Sequence, residues 1–376
     1  MQFKTMKKCN EIKLVVSDFH IGEGHGRGRV NQYDDFHYDN EFKELIAHYT
    51  SNDYEQMPVE LIINGDFFDF LKVRYDGKFV DVITENAGVA KLKTCFKGHP
   101  IIRETLSNFI KNENHFITVI PGNHDMELVF FAVERCFRDM IAYDDASKAR
   151  IKFIDDKDVY HVRGGVQIHH GHQFELLNAF DYDQLKFIQE GKEPTLNLPW
   201  GSLFVITIVN RFKRECPSID QVRPFRLFMA RMLILDPLLT VKVMSWISYY
   251  FVRTRFLQFW ERRRNRFAKT LKFLTGGFSF KSSLEQDADE ILNYVSDTNV
   301  IIFGHNHTPK YRVFENNKTY INTGTWTRAI NLDVREFTRY PKLTFALLEY
   351  GDDKKISNSS LLEWKGPYHE IEIVNY

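Results

Sequence analysis

Short runs of large apolar residues recur along the chain, and several of them stop at a glycine, a carboxylate or a histidine. "KLVVSDFH" (13–20), "ELIINGDFFDF" (60–70), "HFITVIPGNHD" (115–125), "VQIHHGH" (166–172), "NVIIFGHNH" (299–307) and "KTYINTGTW" (318–326) share this form. Apolar runs of this length bounded by turn residues predict buried strands. Between the first of them, "DNEFKELIAHYT" and "MELVFFAVERCFRDMIAY" predict helices. Buried strands alternating with helices predict an α/β layered fold whose loops at strand ends hold the chemistry. The tail, "PKLTFALLEY" and "HEIEIVN", predicts antiparallel strands that complete a second sheet.

The run Ile301-Ile302-Phe303 enters Gly304, and then two imidazoles stand two positions apart. Gly304 is expected to let the backbone leave the strand at an angle that a Cβ would resist. In extended chain, alternate side chains share a side, so His305 and His307 are expected to point the same way. Two neutral imidazoles converging at a strand end suit a metal, although a pair of solvated histidines would read the same.

Composition narrows the picture modestly. At 376 residues the chain has room for one large domain or two ordinary ones. Lysine plus arginine and aspartate plus glutamate stand at 50 each, so the formal net charge of the whole molecule is zero. Cys9, Cys95, Cys136 and Cys216 are scattered without a C-x-x-C pair, which predicts reduced thiols in a cytoplasmic protein. The opening "MQFKTMKKCNEIKLVV" has no sustained apolar stretch, so no signal peptide is expected.

One region breaks the strand–helix rhythm. Residues 200–275 hold 15 Lys and Arg against 4 Asp and Glu, a net of +11, interleaved with aromatics. Charge separation on this scale predicts a partner surface. Within 227–267 the longest uncharged stretch is 243–252, 10 residues where about 18 would be needed to span a bilayer. At helical spacing Val243, Trp246, Ile247, Tyr250, Phe251, Leu257 and Trp260 share a broad face, with Arg253, Arg255, Arg262, Arg263, Arg264 and Arg266 at and beyond its end. Such a helix reads first as a peripheral attachment to an anionic membrane. A plain structural cap, a homodimer interface and a nucleic-acid surface are the competing readings.

The strand ends supply Asp18-x-His20, Gly65-Asp66, Gly122-Asn123-His124-Asp125, His170-Gly171 and Gly304-His305-x-His307. Each fragment alone is weak, since Gly-Asp after a strand is usually a turn. Also, His169 and His172 compete with His170 for any role. Together, in this order, the five fragments resemble the calcineurin-like metallophosphoesterases over residues 13–172 and 299–326. The resemblance implies a two-sheet α/β sandwich as a single catalytic domain over 1–376, with a helical cap inserted at 175–290. It implies that Asp18, His20, Asp66 and His307 hold one metal. Asp66, Asn123, His170 and His305 would hold a second, with Asp66 bridging.

That chemistry is coherent on its own terms. Two divalent ions about 3.5–4 Å apart need a bridging carboxylate, and they lower the pKa of a shared water whose hydroxide attacks phosphorus in line. Imidazole, carboxylate and amide ligands suit Mn²⁺ first, with Fe or Zn²⁺ as alternatives. His124 resembles the family histidine that contacts the phosphate and protonates the leaving oxygen. The ring needs a carboxylate to orient it, and the resemblance implies Asp69, which matches the position that does this in some family members, with Asp125 the competitor. Arg27 and Arg29, in "GEGHGRGR", read first as substrate contacts, because they directly follow two candidate ligands, with a mobile surface loop as the alternative.

Within the superfamily, a helical insertion before the last motif resembles the UDP-2,3-diacylglucosamine hydrolases. That resemblance implies a nucleotide-linked lipid pyrophosphate as the phosphorylated substrate, cleaved at the inner membrane surface. A nuclease, a soluble nucleotide phosphodiesterase and a scaffold without activity are the alternatives.

Overall fold

The computed structural model describes residues 9–26, 30–217, 219–220, 222–223, 225–252, 284–315, 317–328, 330–331, 342–353, 355–367 and 372–373. Strands β1 (Glu11–Val16), β2 (Val59–Asn64), β3 (His115–Ile120) and β4 (Ile151–Phe153) run parallel as neighbours in one sheet. Their apolar runs lack polar alternation because both faces are covered. Leu14, Val16, Leu61 and Ile63 pack among helix residues such as Phe42, Leu45, Leu92 and Phe96. Val15, Ile62 and Ile120 pack against the second sheet. Each such side chain contributes about 1.5–3 kcal/mol by leaving water.

Helices α1 (Asp39–His48), α2 (Glu85–Gly98), α3 (Pro100–Phe109) and α4 (Phe131–Ile141) form the outer layer. α2 starts where Thr84 accepts the Ala87 N–H at 3.2 Å, and Pro100 opens α3 where no backbone donor is needed.

The second sheet contains β5 (Tyr160–Val162), β6 (Val166–Ile168), β7 (Val300–Phe303), β8 (Lys310–Val313) and β9 (Thr319–Asn322), in the order β8-β9-β7-β6-β5. Its central strands β6, β7 and β9 are parallel. A helix over Leu284–Tyr294 covers its outer face, setting Leu284, Ala288 and Leu292 against Ile301 and Phe303. The layers are therefore helix, sheet, sheet, helix, an α/β sandwich of two sheets.

The tail departs from expectation. Strands β10 (Thr344–Tyr350), β11 (Ile356–Glu363) and β12 (Glu372–Ile373) are antiparallel, but they extend the first sheet, in the order β12-β11-β10-β1-β2-β3-β4. The cause is double burial. Phe345 and Leu347 face the helix side, while Ala346 and Leu348 face the second sheet, so β10 needs a position covered on both faces.

The 175–290 segment is not helical throughout. A small antiparallel pair, Lys186–Phe187 with Thr195–Leu196, precedes its first α-helix. The pieces Trp200–Phe204, Val205–Val209 (a π turn) and Asn210–Phe212 then follow one another directly. Helices α5 (Phe225–Leu235) and α6 (Pro237–Val252) come next.

Three members of the stripe expected to face a membrane, Val243, Trp246 and Ile247, are turned inward. Val243 is buried, and Trp246 and Ile247 pack with it against Ile208 and Phe212. The Arg211 guanidinium lies 3.9 Å from the Trp246 ring centre. Apolar surface lies elsewhere on the pair: Ile234, Leu235 and Leu238 are 84%, 78% and 84% exposed. Among the described residues, no helix is long and apolar enough to cross a membrane. Leu257, Trp260 and the arginines from Arg253 to Arg266 lie outside the described residues.

Candidate metal centre

The five polar fragments follow the carboxyl ends of β1, β2 and β3 in one sheet and of β6 and β7 in the other. In parallel sheets these ends are where successive loops converge. The backbone there is held in place. The His20 N–H donates to the Asp66 carbonyl at 2.9 Å, and the His305 N–H donates to the Asp18 carboxylate at 2.9 Å.

Five of the seven candidate ligands sit in the left-handed backbone region. Asp18, His20, Asp66, His305 and His307 have φ of +55°, +52°, +52°, +68° and +63°. Such conformations are unfavourable for residues with a Cβ, and surrounding structure must impose them. The pairing of His305 and His307 therefore does not come from strand alternation. Both follow the end of β7, in a tight turn. Gly304 also differs from expectation, because space rather than angle demands it: a Cβ there would lie 2.5 Å from Asp18 Oδ2. At Gly65, with φ +77°, a Cβ would meet the His170 ring at 2.3 Å.

Ligating atoms gather in three overlapping groups, one of which joins His20 and Asp66 to His124, while the other two consist of candidate ligands alone. In the first, Asp18, His20 and His307 each bring one such atom within 4.8 Å of the others. His20 Nε2 and His307 Nε2 are 3.0 Å apart, and His307 Nε2 is 3.3 Å from Asp18 Oδ1. In the second, Asp66, His170 and His305 converge in the same way. Asp66 Oδ2 faces both groups, 3.2 Å from His170 Nε2 and 3.9 Å from His20 Nε2.

The donor atoms fit a cation. His170 Nδ1–H donates to the Asn64 carbonyl at 2.8 Å, which leaves the Nε2 lone pair directed at the Asp66 carboxylate. Two lone pairs at that distance need a proton or a metal between them. His170 Nε2 and Asn123 Oδ1 are buried, and neither has a hydrogen-bond partner. Unsatisfied buried polar atoms are costly unless something ligates them.

The electrostatics point the same way. Burial opposes ionisation of Asp66, yet His170, His124 and His20 hold its carboxyl well below the usual range. Burial would lower the His170 imidazole, but Asp66 and Asp18 push it up to about 10. A site that attracts a proton this strongly has the negative potential a divalent ion needs.

His124 Nδ1 meets Asp69 Oδ1 at 2.9 Å, so Asp69 is the carboxylate paired with this ring. Asp125, the competing carboxylate, is otherwise engaged. It accepts the backbone N–H groups of Asp66, Phe67, Phe68 and Gly122 and so ties two of the loops together. Arg27 and Arg29 lie outside the described residues. The described part of their loop is anchored by the Gly24 N–H on Asp34, and Asp34 is held 2.9 Å from His99 Nε2.

Sequence reading missed three contributors. Asn64 acts through its backbone carbonyl, which no residue type betrays. Glu175, whose carboxylate lies 3.0 Å from His305 Nε2, follows the H-G-H fragment with no pattern of its own. Lys72 did leave a signal, as a lone cation in the apolar stretch "FFDFLKV".

No protein-family profile matches the chain, and no curated protein matches it. Similar solved structures include a dimetal phosphatase from Danio rerio, 9% identical with a TM-score of 0.36, covering 98% of this chain and 100% of that one. A conserved protein from Streptococcus pneumoniae described as a predicted phosphoesterase is 12% identical with a TM-score of 0.27, covering 97% and 98%. A 5'-nucleotidase from Candida albicans is 12% identical with a TM-score of 0.31, covering 95% of this chain and 52% of that one. These overlaps are low in identity and in TM-score, so the chemistry of the site rests on its own side chains. Fold, motif order and site together resemble the calcineurin-like metallophosphoesterases.

Proposed function

We propose that the chain is a metal-dependent phosphoester hydrolase with a dinuclear centre. The observation that carries this reading is Asp66 Oδ2, set between two imidazole–carboxylate groups and facing the lone pair of His170 Nε2. Asp18, His20, Asp66 and His307 would hold one ion, and Asp66, Asn123, His170 and His305 the other. When bound, such a pair would activate a water and neutralise the phosphoryl oxygens of an ester or anhydride. The donor set is compatible with Mn²⁺, Fe or Zn²⁺. His124, oriented by Asp69, would contact the phosphoryl group and give its Nε2 proton to the departing oxygen. Treatment with a chelator should abolish hydrolysis of bis(p-nitrophenyl) phosphate, and Mn²⁺ should restore it. Full turnover by protein shown to be metal-free would overturn the reading.

For the substrate, we infer a lipid-linked nucleotide pyrophosphate presented at an anionic membrane. The exposed Ile234, Leu235 and Leu238 support this, because singly exposed apolar residues are ordinary but an adjoining set marks a contact surface. The sequence that follows α6 adds Arg253, Arg255 and the cluster from Arg262 to Arg266, and each basic side chain near such a surface is worth about 1 kcal/mol. The protein should cosediment with vesicles containing phosphatidylglycerol but not with neutral ones. Ile234→Asp with Leu238→Asp should release it while hydrolysis of the small diester continues. Indifference to vesicles, together with salt-sensitive binding of single-stranded DNA, would move the substrate to nucleic acid.

A further inference from the structure

Behind the His124–Asp69 pair lies a buried cluster of charges that the proposed reaction does not use. Lys72 ends the short helical turn Phe70–Lys72, and its side chain is almost wholly buried. Its Nζ hydrogen bonds Asp35 at 2.8 Å and lies at ion-pair distance from two further carboxylates, 3.0 Å from Asp69 and 2.5 Å from Asp220. Lys213 Nζ contacts the same Asp35, at 3.0 Å, and the same Asp220. Asp35 and Asp69 belong to the catalytic sandwich, whereas Lys213 and Asp220 come from the segment inserted between β6 and β7 of the second sheet.

We propose that Lys72 is a positioning residue for His124, and that the inserted segment holds Lys72 in place through Asp220 and Lys213. The inference rests on the role assigned to His124 above.

Asp69 is fully buried and has two imidazole neighbours, His124 Nδ1 at 2.9 Å on one oxygen and His20 Nδ1 at 3.5 Å on the other. A buried carboxylate with no fixed cation would take a proton or turn towards whichever neighbour offers one. Lys72 Nζ stands 3.0 Å from the second oxygen as its cationic partner, without a hydrogen bond to it, and this charge keeps the first oxygen directed at His124 and the ring in one tautomer and one orientation. Burial alone would lower the Lys72 ammonium, but the carboxylates of Asp220, Asp35 and Asp69 hold it well above the ordinary lysine range. It remains a cation at working pH.

Lys72 does not stand free, because three carboxylates share it. Removing Asp220 would let it lean towards Asp35 and away from Asp69. The segment also touches this strip of backbone directly, since Asn210 Nδ2 donates to the Leu71 carbonyl at 2.8 Å. Seating of the inserted segment is thus coupled to the geometry of the imidazole that meets the substrate. A device of this kind needs no contact between the segment and the phosphate.

The test compares Lys72→Met, Asp69→Asn, Asp220→Asn and the Lys72→Met/Asp69→Asn pair, each checked for metal content and thermal melting. Lys72→Met should lower kcat for a phenyl phosphodiester about 10–100-fold, with KM and metal content nearly unchanged. The paired variant should be no worse than Asp69→Asn alone, because both changes break one chain of contacts. Asp220→Asn should show a smaller loss of the same kind, and it decides the matter if Lys72→Met fails to fold. A readout independent of turnover is the downfield proton resonance of the His124 Nδ1–H bond, expected in the native protein and lost in Lys72→Met. Additive losses, or a folded variant that keeps both kcat and the resonance, would overturn the inference. If no phosphoester is hydrolysed by the native protein but the resonance still disappears, the proposed function fails and the positioning role stands.

Discussion

Asp66→Asn should lose both metal ions and hydrolysis together. Its Oδ2 is the atom that faces both groups of candidate ligands, so no other side chain could take over the bridge. Asparagine keeps the volume, and its carbonyl oxygen could still accept the His124 N–H that now bonds Asp66 Oδ1 at 2.7 Å. The fold should therefore survive while a charge is lost from between two cations. Two ions at bridging distance repel strongly at the reduced permittivity of a buried site, and without the carboxylate that repulsion is uncompensated. Turnover should fall by roughly 10²–10³ or more, the scale of losing a preorganised electrostatic group. Metal analysis beside activity is the check. A variant that still carries two ions per chain would remove Asp66 from the bridge.

Much of this site is readable in one dimension because its donors lie within a few residues of strand ends. An apolar run marks each strand, and the residue types of D-x-H, G-D, G-N-H-D, H-G and G-H-x-H stand directly after it. What connects distant segments is less legible. "PKLTFALLEY" reads correctly as a strand, but its choice of β1 as neighbour depends on which sheet leaves a doubly covered edge, and only packing decides that. The two histidines after Gly304 also look like alternating strand positions, although both adopt positive φ in a turn. Asp69 and Asp125 are equally near His124 in composition. They are separated by the four backbone N–H groups that Asp125 accepts, which depend on how two loops meet. The stripe of Val243, Trp246 and Ile247 has the spacing of a surface-binding helix, but the same spacing serves a helix packed on its neighbour. Periodicity shows that a face is apolar and leaves open what covers it.

His124→Ala should keep both metal ions and lose roughly 10²–10⁴ in turnover, the usual contribution of a positioned acid or base. His124 comes close enough to His20 and Asp66 to be counted with them as a third group of ligating side chains, so metal content is an informative control. Its Nδ1 is taken by Asp69, and its side chain is 17% exposed where that of Asp69 is 1% exposed, as expected for a ring that reaches from the buried charge towards the substrate. Burial works against the imidazolium, but Asp69 and Asp66 outweigh it and hold the ring above its ordinary value, which favours the form that donates a proton. The size of the loss should follow the leaving group. A p-nitrophenolate departs with little help, so that ester should lose least, whereas an alkyl phosphodiester should lose most. Equal losses on the two esters, with both ions retained, would assign His124 to holding the phosphoryl group and leave the proton to another donor. Loss of one ion in the variant would make His124 a ligand instead.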